Sequence, residues 1–147
     1  MKYFEALEYI KNMVEYKNLD LGKVVDFLYD NFPHYSWVGI YVLRNNTLIL
    51  GPWRGEHATE HTLIDIGEGI CGAAAKTGET EIIDDVGKDD RYLACFLSTK
   101  SEIVVPIWFK KKVVGEIDID SDSKKAFSLE DKTFLETLAS IIAPYVG

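Results

Sequence analysis

The stretch 101–121, Ser-Glu-Ile-Val-Val-Pro-Ile-Trp-Phe-Lys-Lys-Lys-Val-Val-Gly-Glu-Ile-Asp-Ile-Asp-Ser, decides the fold. Two runs of β-type residues flank Lys110, Lys111 and Lys112, which reads as a hairpin. A three-residue turn pairs Phe109 with Val113, so paired positions sum to 109 + 113 = 222. Glu102 then lies opposite Asp120, and Val104 opposite Asp118. Parity places Ile103, Val105, Ile107, Phe109, Val113, Ile117 and Ile119 on one face, a core face, and a slip of one residue would mix the two faces. The other face carries Glu102, Glu116, Asp118 and Asp120. Like charges directly opposite each other destabilise a sheet. Either these carboxylates face water, or they form a cup for a cation or a shared proton. In such a cup crowding raises their pKa values, and one can act as an acid near neutral pH.

Working outward, 37–43 and 47–50 flank Arg44-Asn45-Asn46 and form a second hairpin. Residues 51–61 are polar and irregular and read as a loop. A short strand is expected near 62–64, a small-residue helix over 69–76 stopped by Gly78, and a short strand over 81–83. The polar stretch 84–99 is a long loop, of the kind that tends to carry function. The N-terminal segment 1–32 reads as two helices. In the first, Phe4, Leu7, Ile10 and Val14 form the apolar stripe; the second starts after Asp20 and ends before Pro33. A C-terminal helix spans 128–144, capped by Ser128 with Asp131 three residues on. The expectation is an α+β fold, a single domain over 1–147 with a sheet core over 36–120.

Composition agrees with one soluble domain: 147 residues, 47% hydrophobic, 27% charged. The net charge of −8 argues against nucleic acid and anionic membranes as partners. The longest uncharged run, 31–43, is shorter than the ~18 residues a membrane helix needs. No secretory leader is visible, so a cytoplasmic location with reduced thiols is expected.

The two cysteines, Cys71 and Cys95, are too few for a disulfide scaffold or a tetrahedral cysteine zinc site. Cys71 reads as a small residue packed at a helix start, and Cys95 lies in the long loop, where Arg91 and Lys100 are near in sequence. Gly67-x-Gly69-x-x-Gly72 matches a dinucleotide fingerprint, but the helix is too short for a parallel crossover and strands do not alternate with helices. His57 and His61, four apart, have no evident third metal ligand, and His34 reads as a capping or surface residue. Trp37 and Tyr41 share one face of a strand, as core packing or as an aromatic wall beside the carboxylates.

Taken in order, Trp37-x-Gly39-x-Tyr41, Gly51-Pro52, Gly67-x-Gly69-Ile70-Cys71-Gly72-Ala73, Asp84-Asp85-Val86, Ala94-Cys95, Ser101-Glu102-Ile103-Val104 and Asp118-Ile119-Asp120-Ser121 form a set. Over about positions 20 to 142 the chain resembles a GAF domain, specifically the free methionine-R-sulfoxide reductases. The resemblance implies an antiparallel sheet of about six strands with helices on its faces, and reduction of free methionine-R-sulfoxide without cofactor or metal. It implies Cys95 as the attacking thiol and Cys71 as its disulfide partner, with a thioredoxin-like reductant. Glu102, Asp118 and Asp120 would hold the substrate's ammonium group and sulfoxide end, Glu102 and Asp120 also taking part in catalysis, while Trp37 and Tyr41 wall its methyl group. A homodimer is a further expectation. His61 stands where the family usually has a third cysteine. The rival from another class is a GAF sensor that binds a small amino compound without chemistry.

Overall fold

The computed structural model describes residues 1–93 and 98–147. Cys95 therefore lies outside the described residues. Along the chain run α1 (Tyr3–Glu15), α2 (Leu21–Asn31), β1 (Trp37–Arg44), β2 (Thr47–Gly55), β3 (Leu63–Asp65), α3 (Gly69–Thr77), β4 (Glu81–Ile83), β5 (Ser101–Phe109), β6 (Lys112–Ser121) and α4 (Leu129–Ile142). Short 3-10 turns follow β4 at Val86–Lys88 and α4 at Ala143–Tyr145. The six strands form one sheet in the order β3-β2-β1-β6-β5-β4, and every neighbouring pair is antiparallel.

The β5–β6 hairpin has the expected pairing where it matters: Glu102 faces Asp120 and Val104 faces Asp118. Its turn is shorter than expected. Phe109 pairs with Lys112 around Lys110 and Lys111, both at positive φ (51° and 66°). A two-residue turn of that hand suits the twist of the strands. An irregularity between Ile107 and Trp108 restores the register deeper in the hairpin. Past it the faces exchange, so Val114, not Val113, joins the core with Phe109.

The first hairpin also turns on two residues, Asn45 and Asn46 (φ 51° and 67°). Its second strand continues through Gly55, where the sequence read as loop. The register shift between Gly39 and Tyr41 lets Gly51 and Pro52 pass opposite Ile40. A proline has no N–H for a ladder, and a bulge is where a strand accommodates one.

One sheet face packs under α1, α2 and α4. Its core includes Ile10, Leu28, Val38, Ile103, Ile117 and Leu138. Each such side chain contributes roughly 1.5–3 kcal/mol on burial. The stripe of α1 is rotated from the expected one: Tyr3, Ala6, Leu7, Ile10 and Met13 face the core, while Phe4 is 72% exposed. On α4 the Ser128–Asp131 capping box forms as expected. Asp131 also gathers the hydroxyls of Tyr3 and Tyr35, each donating at 2.7 Å, with His34 Nε2 at 2.9 Å. His34 thus supports the cap of α4.

The opposite face is covered by α3, in a second cluster of Tyr41, Leu48, Ile64, Ile70, Cys71, Ala74, Ala75 and Val104. The glycines that imitate a nucleotide fingerprint have a packing reason. A Cβ on Gly72 would meet the Asp65 carbonyl at 2.5 Å, and Gly67, at φ 88°, donates to the Gly72 carbonyl at 2.8 Å.

Candidate active site

The α3-side face of the sheet is a grid set by strand pairing. One row reads Gly55, Trp37, Asp120, Glu102, Ile83 across β2, β1, β6, β5 and β4. The next reads Trp53, Gly39, Asp118, Val104, Glu81. A third pairs Tyr41 with Glu116. Glu102, Asp118, Asp120 and Glu116 therefore share a face in the middle of the sheet. It is largely closed to solvent: Glu116 is 0% exposed and the other three at most 5%.

Among the described residues no lysine or arginine pairs with any of the four. Burial pushes the pKa values of Glu102, Glu116 and Asp120 well up, and the Asp118 charge pushes them further. Burial also raises Asp118, although hydrogen bonding with Glu102 and Cys71 works the other way. Burial and crowding of this kind favour the protonated forms, and an entering cation favours the charged ones.

Cys71 is buried at the start of α3 against these carboxylates. Burial, then the charges of Asp118, Glu116, Glu102 and Asp120, push its thiol well up. It rests as a thiol, not a thiolate. A crevice lined by Tyr41, His61, Cys71, Tyr92, Glu102 and Asp118 opens beside it, and a neighbouring one is lined by Trp37, His57 and Asp120. The structure thus brings together Cys71, Glu102, Asp118, Asp120, Trp37 and Tyr41. Arg91 is engaged elsewhere, with Glu81 at 2.9 Å and Asp89 at 2.8 Å. His57 is exposed, and His61 offers its carbonyl to the Tyr41 hydroxyl at 2.7 Å.

Trp37 and Tyr41 are buried on the carboxylate face. The Trp37 indole lies flat because two glycines make room: a Cβ on Gly39 would be 2.4 Å from it, and one on Gly55 2.3 Å. Trp53 stacks on the same indole at 6.2 Å between ring centres. Gly55→Ala should therefore lift the indole, cost about 1–3 kcal/mol by overpacking and change tryptophan fluorescence. Thermal melts and emission spectra check this; an unchanged spectrum and melting temperature would contradict the packing.

Sequence reasoning put Glu116 on the acidic face but gave it no part in the site. Its signal was parity with Asp118 and Asp120. Gly55 was missed because the strand carrying it read as loop.

The GAF domain family model matches residues 21–145. A free methionine-R-sulfoxide reductase of Saccharomyces cerevisiae is 48% identical over 111 residues, covering 73% of this chain and 61% of that protein. One from Escherichia coli is 36% identical over 82% of this chain and 72% of that protein. The solved structure of a type II free methionine-R-sulfoxide reductase from Thermoplasma acidophilum superposes with a TM-score of 0.83 at 42% identity, covering 86% of this chain and 89% of that one.

Proposed function

The chain belongs to the GAF domain family and, within it, to the free methionine-R-sulfoxide reductases, and from that premise we propose that it reduces free L-methionine (R)-S-oxide to methionine by thiol chemistry. The observation that carries the reading is the buried carboxylate set with no lysine or arginine beside it among the described residues. A free amino acid brings the missing cation in its ammonium group. A peptide-bound residue lacks that group and would leave the carboxylates unpaired, which is a strong basis for discrimination.

Glu102, Asp118 and Asp120 hold the ammonium group and the sulfoxide end, and Trp37 with Tyr41 walls the S-methyl group. Cys95 attacks the sulfoxide sulfur while a carboxyl kept protonated by its neighbours, Glu102 or Asp120, gives a proton to the oxygen. The oxygen passes to Cys95, leaving methionine and a sulfenic acid. The raised pKa of Cys71 supports this assignment, since a thiol held protonated is a poor first nucleophile. Cys71 then condenses with the sulfenic acid, releasing water and forming a disulfide. A thioredoxin-like dithiol reduces the disulfide and is itself oxidised. Residues 1–147 act as one domain, in the cytoplasm, as a homodimer. Among the described residues no helix is long and apolar enough to cross a membrane.

The test is turnover of the reduced protein on free methionine-R-sulfoxide, the S epimer and a peptide-bound form, with protein mass followed in parallel. Turnover of the free R epimer alone, abolished in Cys95→Ser, is the expected outcome. Binding without product and without change in thiol count would leave only a sensor.

A further inference from the structure

The carboxylate face also carries a donor set in which a thiol stands beside two of the carboxylates that would meet the ammonium group. Cys71 Sγ and one carboxylate oxygen each of Glu102 and Asp118 lie within 4.8 Å of one another, and all three residues are buried. They come from three separate elements, α3, β5 and β6, so strand pairing and helix packing hold them together. A second observation points into the same place. Both carboxylate oxygens of Glu116, and one oxygen each of Asp118 and Asp120, are buried without a hydrogen-bond partner among the described residues. The Cys71 thiol lies against Glu116 but does not satisfy its oxygens with hydrogen-bond geometry. Buried acceptors left open in this way call for a cation with more than one coordination position.

We propose that the reduced protein binds a thiophilic divalent cation of the zinc class on Cys71 Sγ, Glu102 and Asp118. One sulfur and two oxygens suit zinc, cadmium or cobalt, whereas magnesium and calcium take oxygen donors alone. Bond lengths of about 2.3 Å to sulfur and 2.0 Å to oxygen require the donors to draw in to about 3.5 Å from one another. Rotation of the two carboxylate side chains supplies that movement. On binding, the cation displaces the proton of Cys71 and those held by Glu102 and Asp118, all released to solvent, and Glu116 and Asp120 lie behind it. In the reaction proposed above, such a cation and the substrate's ammonium group compete for the same carboxylates. That consequence rests on the reading of the protein as a sulfoxide reductase; the binding itself does not.

Cobalt(II) added to the reduced, full-length protein under anaerobic conditions provides the test. A thiolate-to-cobalt charge-transfer absorption is expected at one equivalent, displaced by zinc. It should be absent in Cys71→Ser, retained in Cys95→Ser, and require at least tenfold more metal in Glu102→Gln, with circular dichroism showing that each variant is folded. No band at one equivalent, or a band kept in Cys71→Ser and lost in Cys95→Ser, overturns the proposal. Zinc should raise KM for free methionine-R-sulfoxide and leave kcat unchanged. A protein that shows the band but turns over no sulfoxide upholds the metal site and removes the reductase reading. One that turns over sulfoxide without the band does the reverse.

Discussion

Replacing Glu102 by glutamine should make the protein more stable and nearly inactive. Burial, then the charges of Asp118 and Asp120, hold the Glu102 pKa well above its ordinary value. A carboxyl with a raised folded pKa contributes its full share to stability below the unfolded value of about 4.3. That share is lost as the pH rises through the folded pKa. Glutamine keeps the shape and removes the titration. The gain should therefore be near zero at pH 4 and grow to a few kcal/mol by pH 8, on the order of the 1–4 kcal/mol gained when buried ionic groups give way to neutral ones. Urea unfolding of both proteins at the two pH values measures it. Activity should move the other way. Truncating one charge of a buried, charge-assisted contact costs about 2–5 kcal/mol, so kcat/KM for the free sulfoxide should fall by a factor of about 100. A variant that is active and no more stable would contradict both the burial and the assigned role.

The second large effect concerns stability alone. Asp131→Ala removes the acceptor for Tyr3, Tyr35, His34 and the Ser128 cap together. Tyr35 is 1% exposed, so its hydroxyl is left buried without its acceptor. An unsatisfied buried hydroxyl costs about 1–3 kcal/mol and a lost helix cap about 1 kcal/mol, so the total is about 3 kcal/mol, or about 10 °C in melting temperature for a chain of this size. Burial pushes the Asp131 pKa up, but the bonds from His34, Ser128, Tyr3 and Tyr35 more than reverse this and leave it well below the ordinary range. The carboxylate's contribution is therefore complete above the unfolded pKa of about 3.9 and fades as the pH falls through the folded value. The gap between wild type and Asp131→Ala should be widest near neutrality and narrow below pH ~4. A gap that does not change with pH would show that the aspartate acts only through its volume.

Much of this was legible along the chain because alternation in β5 and β6 leaves few choices. Each residue's face follows from its parity, and the acidic row followed from the apolar one. Parity could not report burial. A row of carboxylates reads the same whether water or α3 covers it, and only the packing of Cys71 and Ala74 above the sheet decides that. Turn lengths were misread in both hairpins, since Lys110-Lys111 and Asn45-Asn46 adopt positive φ with none of the glycine that usually announces it. Pro52 hides the far half of β2, and the spacing that points Phe4 to the core is satisfied by Tyr3 as well. The Asp131 hub joins residues up to 128 positions apart, beyond the reach of any local pattern.

The two outermost strands, β3 and β4, are three residues each. A sheet that ends this way on both sides offers another chain little backbone to extend. Where β3 stops pairing, β2 runs on through 51–55 with no further strand beside it among the described residues, and there Pro52 has no N–H to offer a new strand. The protein should therefore resist strand-by-strand growth into fibrils at high concentration, and Pro52→Val would be the change that opens a way to it.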